Sequence, residues 1–401
     1  MHKLTVVKRH VIKCLIKATG KGHIARNTNE YTAIGKDPAV DEVGLKKSDL
    51  DTPVLWVDLD KLEDNIISLG SFFHAAGVQW RPHTKGVKIP AIAHKAIRAG
   101  AIGVTCAKLG EAEVMVASGI TDILVANQVV GPQKVTRLVN LCRQADVKIA
   151  VDSDATLAVM SQAAIQKGVE IGILVELNTG MNRAGVEPGG PAVELSRKVH
   201  ATPGLAYRGL MAWEGHACVT DETDWKEDEI KRSVGLLADT AEACRAEGLP
   251  VDIVSGGGSG TYKVTSQLEG ITEIQAGGAV FNDVSYSSWG VETNPSLYVR
   301  VTVTSRPSPT RMITDAGWKT LPGWIGEPVP VGLSGVESIS MSAEHGTVTF
   351  SEPNTDVRIG DVFDFMVSYT DQTLFLHDTL YGIRDGIVEV VWTITARGKL
   401  R

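Results

Sequence analysis

Between residues 78 and 280, short apolar runs alternate with helix-like stretches eight times over, and no other feature restricts the fold so strongly. The runs are 78–81, 102–106, 123–127, 147–152, 171–177, 208–212, 251–255 and 273–276. Segments between them, such as 110–117, 132–144 and 227–246, carry apolar residues at three- and four-residue steps, the spacing of one helix face. Strands joined through helical crossovers pair in parallel, and eight is the number that closes a β/α barrel. An open doubly wound sheet is the competing arrangement, and pattern alone leaves both open.

After 295 the texture changes. Runs at 297–304, 347–351, 362–367, 373–376 and 388–394 are strand-like and are separated by Pro-, Gly- and Asp-rich turns, with Asp385-Gly386 as a hairpin signal. The expected division is a basic lead-in over 1–50, a barrel over 51–295 and an all-β domain over 296–401. The first strand, within 51–60, is expected to join the β-domain.

With 401 residues the chain exceeds one small core, so two domains are the default. A net charge of −7 argues against nucleic acid as the main partner, because phosphate binding needs clustered positive charge. Cys14, Cys106, Cys142, Cys218 and Cys244 are odd in number and widely spaced, which fits a reducing, cytoplasmic setting and no disulfide framework. No apolar run approaches the ~20 residues of a membrane span. No acidic residue precedes Glu30, whereas Lys3, Lys8, Arg9, Lys13, Lys17, Lys21 and Arg26 are basic. Such a start is either a surface extension or an organelle-targeting segment.

The candidate chemistry lies at the ends of the predicted barrel strands, where β/α-barrel sites gather. Arg81-Pro82-His83-Thr84-Lys85 follows the first run. A desolvated lysine beside other cations loses its proton and becomes a nucleophile suited to Schiff-base formation. Ser255-Gly256-Gly257-Gly258-Ser259-Gly260-Thr261-Tyr262 follows the seventh run, and bare backbone N–H groups there suit a phosphate. An aldehyde that carries a phosphate, pyridoxal 5′-phosphate (PLP), satisfies both. Read singly, Lys85 is a surface lysine and the glycine run a turn. Arg183 (in Asn178-Thr179-Gly180-Met181-Asn182-Arg183-Ala184-Gly185), His216 and Gln275-Ala276-Gly277 end other strands. The bland readings of Arg183 and His216 are a surface ion pair and a structural histidine, and Asp315 would merely open a turn. No GxSxG, Walker or HExxH pattern is present, and the glycine run lacks dinucleotide spacing.

Together with Trp213-Glu214-Gly215-His216, Glu273–Gly277 and Asp315–Lys319, these segments resemble the fold-type III PLP enzymes. The closer likeness is to the D-threonine aldolase, D-serine dehydratase and 3-hydroxy-D-aspartate aldolase group, over about residues 50–401. The resemblance implies an alanine-racemase-like (β/α)8 barrel with a C-terminal β-domain, assembled as a homodimer. It implies that Lys85 carries PLP and that Ser255, Gly256, Gly257, Gly258, Gly260 and Thr261 surround the phosphate. His83, Gln275, Ala276 and Gly277 would lie near the same cofactor. Arg183 would touch the cofactor, and His216 would act as acid or base. In this group a late histidine–aspartate or histidine–cysteine pair binds a divalent metal. Here the pair falls on Tyr369 and Asp371, so Tyr369 stands where histidine is expected and Asp371 would hold Mg²⁺ or Mn²⁺ through waters, with His377 and Asp378 as substitutes.

The leading reading is a lyase of D-3-hydroxy amino acids, aldolase or dehydratase. The alternatives are a metal-free racemase or epimerase using Lys85 and Tyr369, and a PLP-binding protein without turnover. Tyr369 as a base requires a phenol well below its usual pKa of ~10, and hence nearby positive charge.

Overall fold

The structure, a computed structural model, describes residues 42–218 and 223–401. The basic segment before Glu30, and all of the predicted lead-in except 42–50, lie outside the described residues. Among the described residues no helix is long and apolar enough to cross a membrane.

The chain enters through β1 (Val54–Asp58) and α1 (Leu59–Ala76). Helix α1 starts where the Asp58 carboxylate accepts the Lys61 N–H at 3.2 Å, and stops at Gly77, whose φ of +72° suits glycine. Leu59, Leu62, Ile66, Leu69 and Phe73 recur at helical spacing and are buried.

Eight strands follow: β2 (Gln79–Trp80), β3 (Val104–Cys106), β4 (Asp122–Gln128), β5 (Asp146–Val151), β6 (Ile171–Leu177), β7 (Leu205–Ala212), β8 (Ile253–Gly256) and β9 (Glu273–Ile274). They alternate with α2 (Pro90–Arg98), α3 (Leu109–Ala117), α4 (Pro132–Leu141), α5 (Leu157–Lys167), α6 (Gly190–His200), α7 (Thr223–Ala246) and α8 (Tyr262–Thr265). All neighbouring pairs are parallel, in the order β2-β9-β8-β7-β6-β5-β4-β3. The remaining seam closes where Thr105 N–H donates to the Pro82 carbonyl at 3.0 Å and His83 bridges in parallel to Thr105. The open-sheet alternative is thereby excluded.

Side chains of a strand alternate between the barrel interior and the helices. At the start of the strands Arg81 donates to both Glu273 oxygens at 3.1 and 3.0 Å and pairs with Asp122, which Lys148 also reaches at 2.8 Å. Glycine at 172 leaves room for Lys148, since a Cβ there would lie 2.8 Å from its Cγ. One layer above, Leu124, Ala150, Leu174 and Met211 pack together. The polar plug and this apolar layer close the barrel from below, so only its upper end is open.

After α9 (Val284–Ser288) comes a nine-stranded sheet system: β10 (Leu297–Ser308), β11 (Arg311–Thr314), β12 (Val329–Pro330), β13 (Val336–Met341), β14 (Gly346–Phe350), β15 (Val362–Met366), β16 (Thr379–Arg384), β17 (Ile387–Thr393) and, from the other end of the chain, β1. Strand β1 lies antiparallel to β10 and parallel to β16. Asp385 and Gly386, at φ +50° and +75°, turn β16 into β17.

One predicted strand is wrong. Residues 373–376 form the end of α10 (Thr370–Thr373) and a 3-10 turn (Leu374–Leu376). Thr373 Oγ1 donates back to the Tyr369 carbonyl at 3.0 Å, and Asp283 claims the Thr370 N–H at 2.7 Å, so the backbone is satisfied as a turn and not as a ladder.

Candidate active site

The open end of the barrel holds a cavity of about 480 Å³ whose lining includes Lys85, His83, Arg183, the 257–260 glycines and Tyr369. Lys85 projects from a short 3-10 turn, Thr84–Gly86, that follows β2. Beneath it Thr84 Oγ1 donates to buried Glu111 at 2.9 Å, and Glu111 also accepts the Ala107 N–H at 2.8 Å. Lys85 is therefore carried by a fixed turn, while its own side chain is 42% exposed to the cavity.

Its ammonium lies 3.2 Å from Asp371 Oδ2, on α10 of the β-domain. Tyr369 Oη donates to the same oxygen at 3.0 Å. Burial, and then the Asp371 charge, push the Tyr369 phenol up, as they do that of Tyr286 beside it. Rings of Tyr286, Trp289 and Tyr369 pack mutually at 5.3–5.6 Å between centroids. His83 accepts the Lys85 N–H through Nδ1 at 3.3 Å, and burial followed by the charges of Lys85, Lys88 and Arg183 hold its imidazole well below the usual range. The ring is neutral at pH 7.

Opposite lies the glycine segment, tied down by Glu214. This buried carboxylate accepts Thr261 and Thr265 hydroxyls at 2.7 Å each and the Gly257 N–H at 3.4 Å. The N–H groups of Ser259, Gly260, Gly277 and Gly278 have no protein acceptor among the described residues. Glycine is required for the walls to come so close: a Cβ on Gly258 would lie 2.2 Å from the Trp213 ring, and one on Gly277 2.0 Å from the His83 carbonyl. Open N–H groups facing a lysine amine across one cavity suit a phosphorylated aldehyde, so the residues present fit PLP.

At the rim, period-two alternation turns Gln128 of β4 and Glu176 of β6 inward. Gln128 Nε2 donates to Glu176 Oε2 at 2.5 Å, and Arg183 lies 3.6 Å from Glu176 Oε1. Burial raises the Glu176 carboxyl, offset by Gln128 and Arg183.

The chain matches the Alanine racemase, N-terminal domain family over residues 57–284 and the Putative serine dehydratase domain over 296–383. The D-threonine aldolase of Arthrobacter sp is 35% identical over 353 residues, which is 87% of this chain and 93% of the relative. The chain belongs to the alanine racemase family, in the group of the D-threonine aldolases. A 3-hydroxy-D-aspartate aldolase of Paracoccus denitrificans (strain Pd 1222) in the same group is 33% identical over 375 residues, covering 89% of this chain and 94% of the relative. The crystal structure of D-threonine aldolase from Filomicrobium marinum superposes with a TM-score of 0.87 at 35% identity, covering 90% of this chain and 98% of that one.

Within this alanine racemase-type barrel the structure sorts the expected site residues into three sets. Lys85, His83, Arg183, Gly257, Gly258, Gly260, Gln275 and Gly277 line the cavity. Ser255, Gly256, Thr261 and Ala276 stand behind the lining, where Ser255 Oγ accepts from Gln275 Nε2 at 2.9 Å. His216 is turned away from it: its Nε2 lies 2.5 Å from Glu229 of α7, and Gly180 packs against the ring. His216 thus belongs to a cluster with Glu229 and Arg232 and is not among the residues that line the cavity, where the acid/base expectation would place it. Tyr369 donates to Asp371, which Lys85 also reaches, and burial followed by the Asp371 charge pushes its phenol up, the opposite direction to the one a base role asks for. Asp371, expected to hold Mg²⁺ or Mn²⁺, is paired with Lys85 instead. His377 donates to the Thr320 carbonyl at 2.8 Å, and Asp378 pairs with Arg397. Among the described residues no group of three His, Cys, Asp or Glu side chains is arranged to hold a metal ion. The residues therefore do not fit a protein-built metal seat.

Sequence reasoning missed Glu214 as the anchor of the glycine segment and Glu176 with Gln128 at the rim. Glu214 stood inside a quoted motif, and counting alternate residues along 171–177 and 122–128 points to the other two.

Proposed function

We propose that the protein is a PLP-dependent lyase that cleaves the Cα–Cβ bond of a D-3-hydroxy amino acid. The observation that carries this reading is the Lys85 amine, held 3.2 Å from Asp371, in one cavity with the open N–H groups of Ser259, Gly260, Gly277 and Gly278. Bound there, PLP supplies an electron sink that loosens the bonds at the substrate α-carbon.

The chain's own groups then do the rest. Open N–H groups at Ser259, Gly260, Gly277 and Gly278 bind the phosphate without adding charge. Neutral His83 packs beside Lys85 without competing for its carboxylate. As a free amine, Lys85 Nζ would accept the β-hydroxyl proton, and Asp371 Oδ2, 3.2 Å away, would stabilise the ammonium formed. Trp213, Trp289 and Tyr369 supply apolar walls that exclude water. Relatives of the same group, named D-threonine aldolase and 3-hydroxy-D-aspartate aldolase, support the substrate class.

Incubating PLP-loaded protein with D-threonine, D-serine and D-3-hydroxyaspartate tests the proposal. Glycine plus an aldehyde is expected. Oxo acid plus ammonia would assign the dehydratase branch. Exchange of the α-hydrogen with inversion, without consumption of any hydroxy amino acid, would overturn the lyase in favour of a racemase. No reaction of any kind would leave a PLP carrier. The homodimer implied by the resemblance is checked by light scattering in solution.

A further inference from the structure

We infer that Tyr369 and Asp371 form a positioning pair for Lys85 and do not seat a divalent metal ion. The inference deepens the lyase reading and rests on it for the role of Lys85.

The donor atoms are already committed. Asp371 Oδ2 takes two partners, Lys85 Nζ at 3.2 Å and Tyr369 Oη at 3.0 Å. The Tyr369 hydroxyl points its proton at that carboxylate, and its ring is fixed between Tyr286 and Trp289. A neutral phenol already donating a proton is a poor ligand for a hard divalent ion. Neighbouring carboxylates are spent as well. Asp283 accepts the N–H groups of Tyr286 and Thr370, at 2.8 and 2.7 Å, and Glu111 is held by Thr84 and Ala107.

One oxygen is left over. Asp371 Oδ1 is buried without a hydrogen-bond partner, and it faces the backbone of Gly86, where a Cβ would lie 2.2 Å away. A single oxygen against a backbone is not a chelating set, and an ion there would sit beside the Lys85 ammonium. Its position does explain the glycine that follows Lys85. Any side chain at 86 would push Asp371 off the amine. Lys85, Gly86, Tyr369 and Asp371 are thus one device, half of it on the barrel and half on the β-domain, which fixes the amine at the cavity edge.

The test counts metal directly. PLP-loaded protein is stripped with EDTA, dialysed against Mn²⁺, and bound Mn²⁺ is read by electron paramagnetic resonance. The wild type is expected to retain no stoichiometric Mn²⁺, and Tyr369→His to gain one ion per chain that Asp371→Asn in the same background removes. In a separate arm, Asp371→Asn is expected to slow the growth of the visible band when PLP is added to stripped protein at least several-fold, whereas Asp378→Asn leaves that rate unchanged. One Mn²⁺ per wild-type chain, lost in Asp371→Asn, would overturn the inference; so would unaltered PLP capture by Asp371→Asn. A wild type that shows the visible band and no Mn²⁺ but cleaves no hydroxy amino acid supports the pairing and refutes the lyase reading alone.

Discussion

Replacing Glu214 measures how the glycine segment is held open. Its carboxylate is the common acceptor for the Thr261 and Thr265 hydroxyls and the Gly257 N–H. Glu214→Ala leaves three buried donors without that acceptor, each at a cost of ~1–3 kcal/mol. Hydroxyls can rotate toward other oxygens, so the low end applies to two of the three, and the total is roughly 3–5 kcal/mol. Glu214→Gln behaves differently. Both hydroxyls bind Oε1, which the amide retains as a carbonyl, while the amide NH₂ replaces only the oxygen facing Gly257. One mismatched donor predicts a loss of about 1–2 kcal/mol. Urea unfolding of the PLP-free protein, followed by circular dichroism, reads both through the midpoint at unchanged slope. The same two variants are titrated with PLP. Glu214→Ala should weaken PLP binding by more than about tenfold, equivalent to ~1.4 kcal/mol, because binding must then re-order the segment. Equal losses in the two variants, or a loss below about 1 kcal/mol in Glu214→Ala, would refute the claim that this acceptor holds the segment.

Gly258→Ala places a methyl group 2.2 Å from the Trp213 ring and should impair PLP binding in an absorbance titration, whereas Gly235→Ala, with nothing within 4 Å on α7, should raise stability by up to about 1 kcal/mol. Tyr369→Phe removes one hydrogen bond to Asp371 of ~1 kcal/mol, so kcat should fall by no more than about tenfold; abolition of turnover would restore Tyr369 as a base. Hydrogen bonding to Arg232, followed by that to His216, holds the Glu229 carboxyl down at about 2. A depressed carboxyl stabilises the fold above its unfolded pKa of ~4.3 and loses that contribution as pH falls through the folded value. Glu229→Gln should therefore flatten the stability–pH curve between about pH 4.5 and 2, as followed by thermal unfolding across that range.

What could be read from the sequence followed burial. Barrel strands are covered on both faces, so 171–177 stands out as an apolar run in which Glu176 is the single charged residue, and it coincides with β6. Strand β7 was foreseen only from 208, although it starts at Leu205; within it Gly209 lies where a Cβ would be 1.9 Å from the Ile253 carbonyl, a packing demand invisible in one sequence. Strand β13 went unseen since Glu337, Ser338 and Ser340 leave it polar and half exposed. The site divides in the same way. Lys85 and the glycine segment declare themselves because the chemistry of each resides in consecutive residues. Asp371 declares a carboxylate but not its partner, since that partner is set by how β1 inserts between β10 and β16 and thereby brings the β-domain up to the barrel mouth. A carboxylate two residues after a tyrosine is equally consistent with a metal ligand and with an ammonium anchor. What decides between them is the Cβ-free approach at Gly86, which lets Asp371 reach across to the lysine immediately before it in the chain.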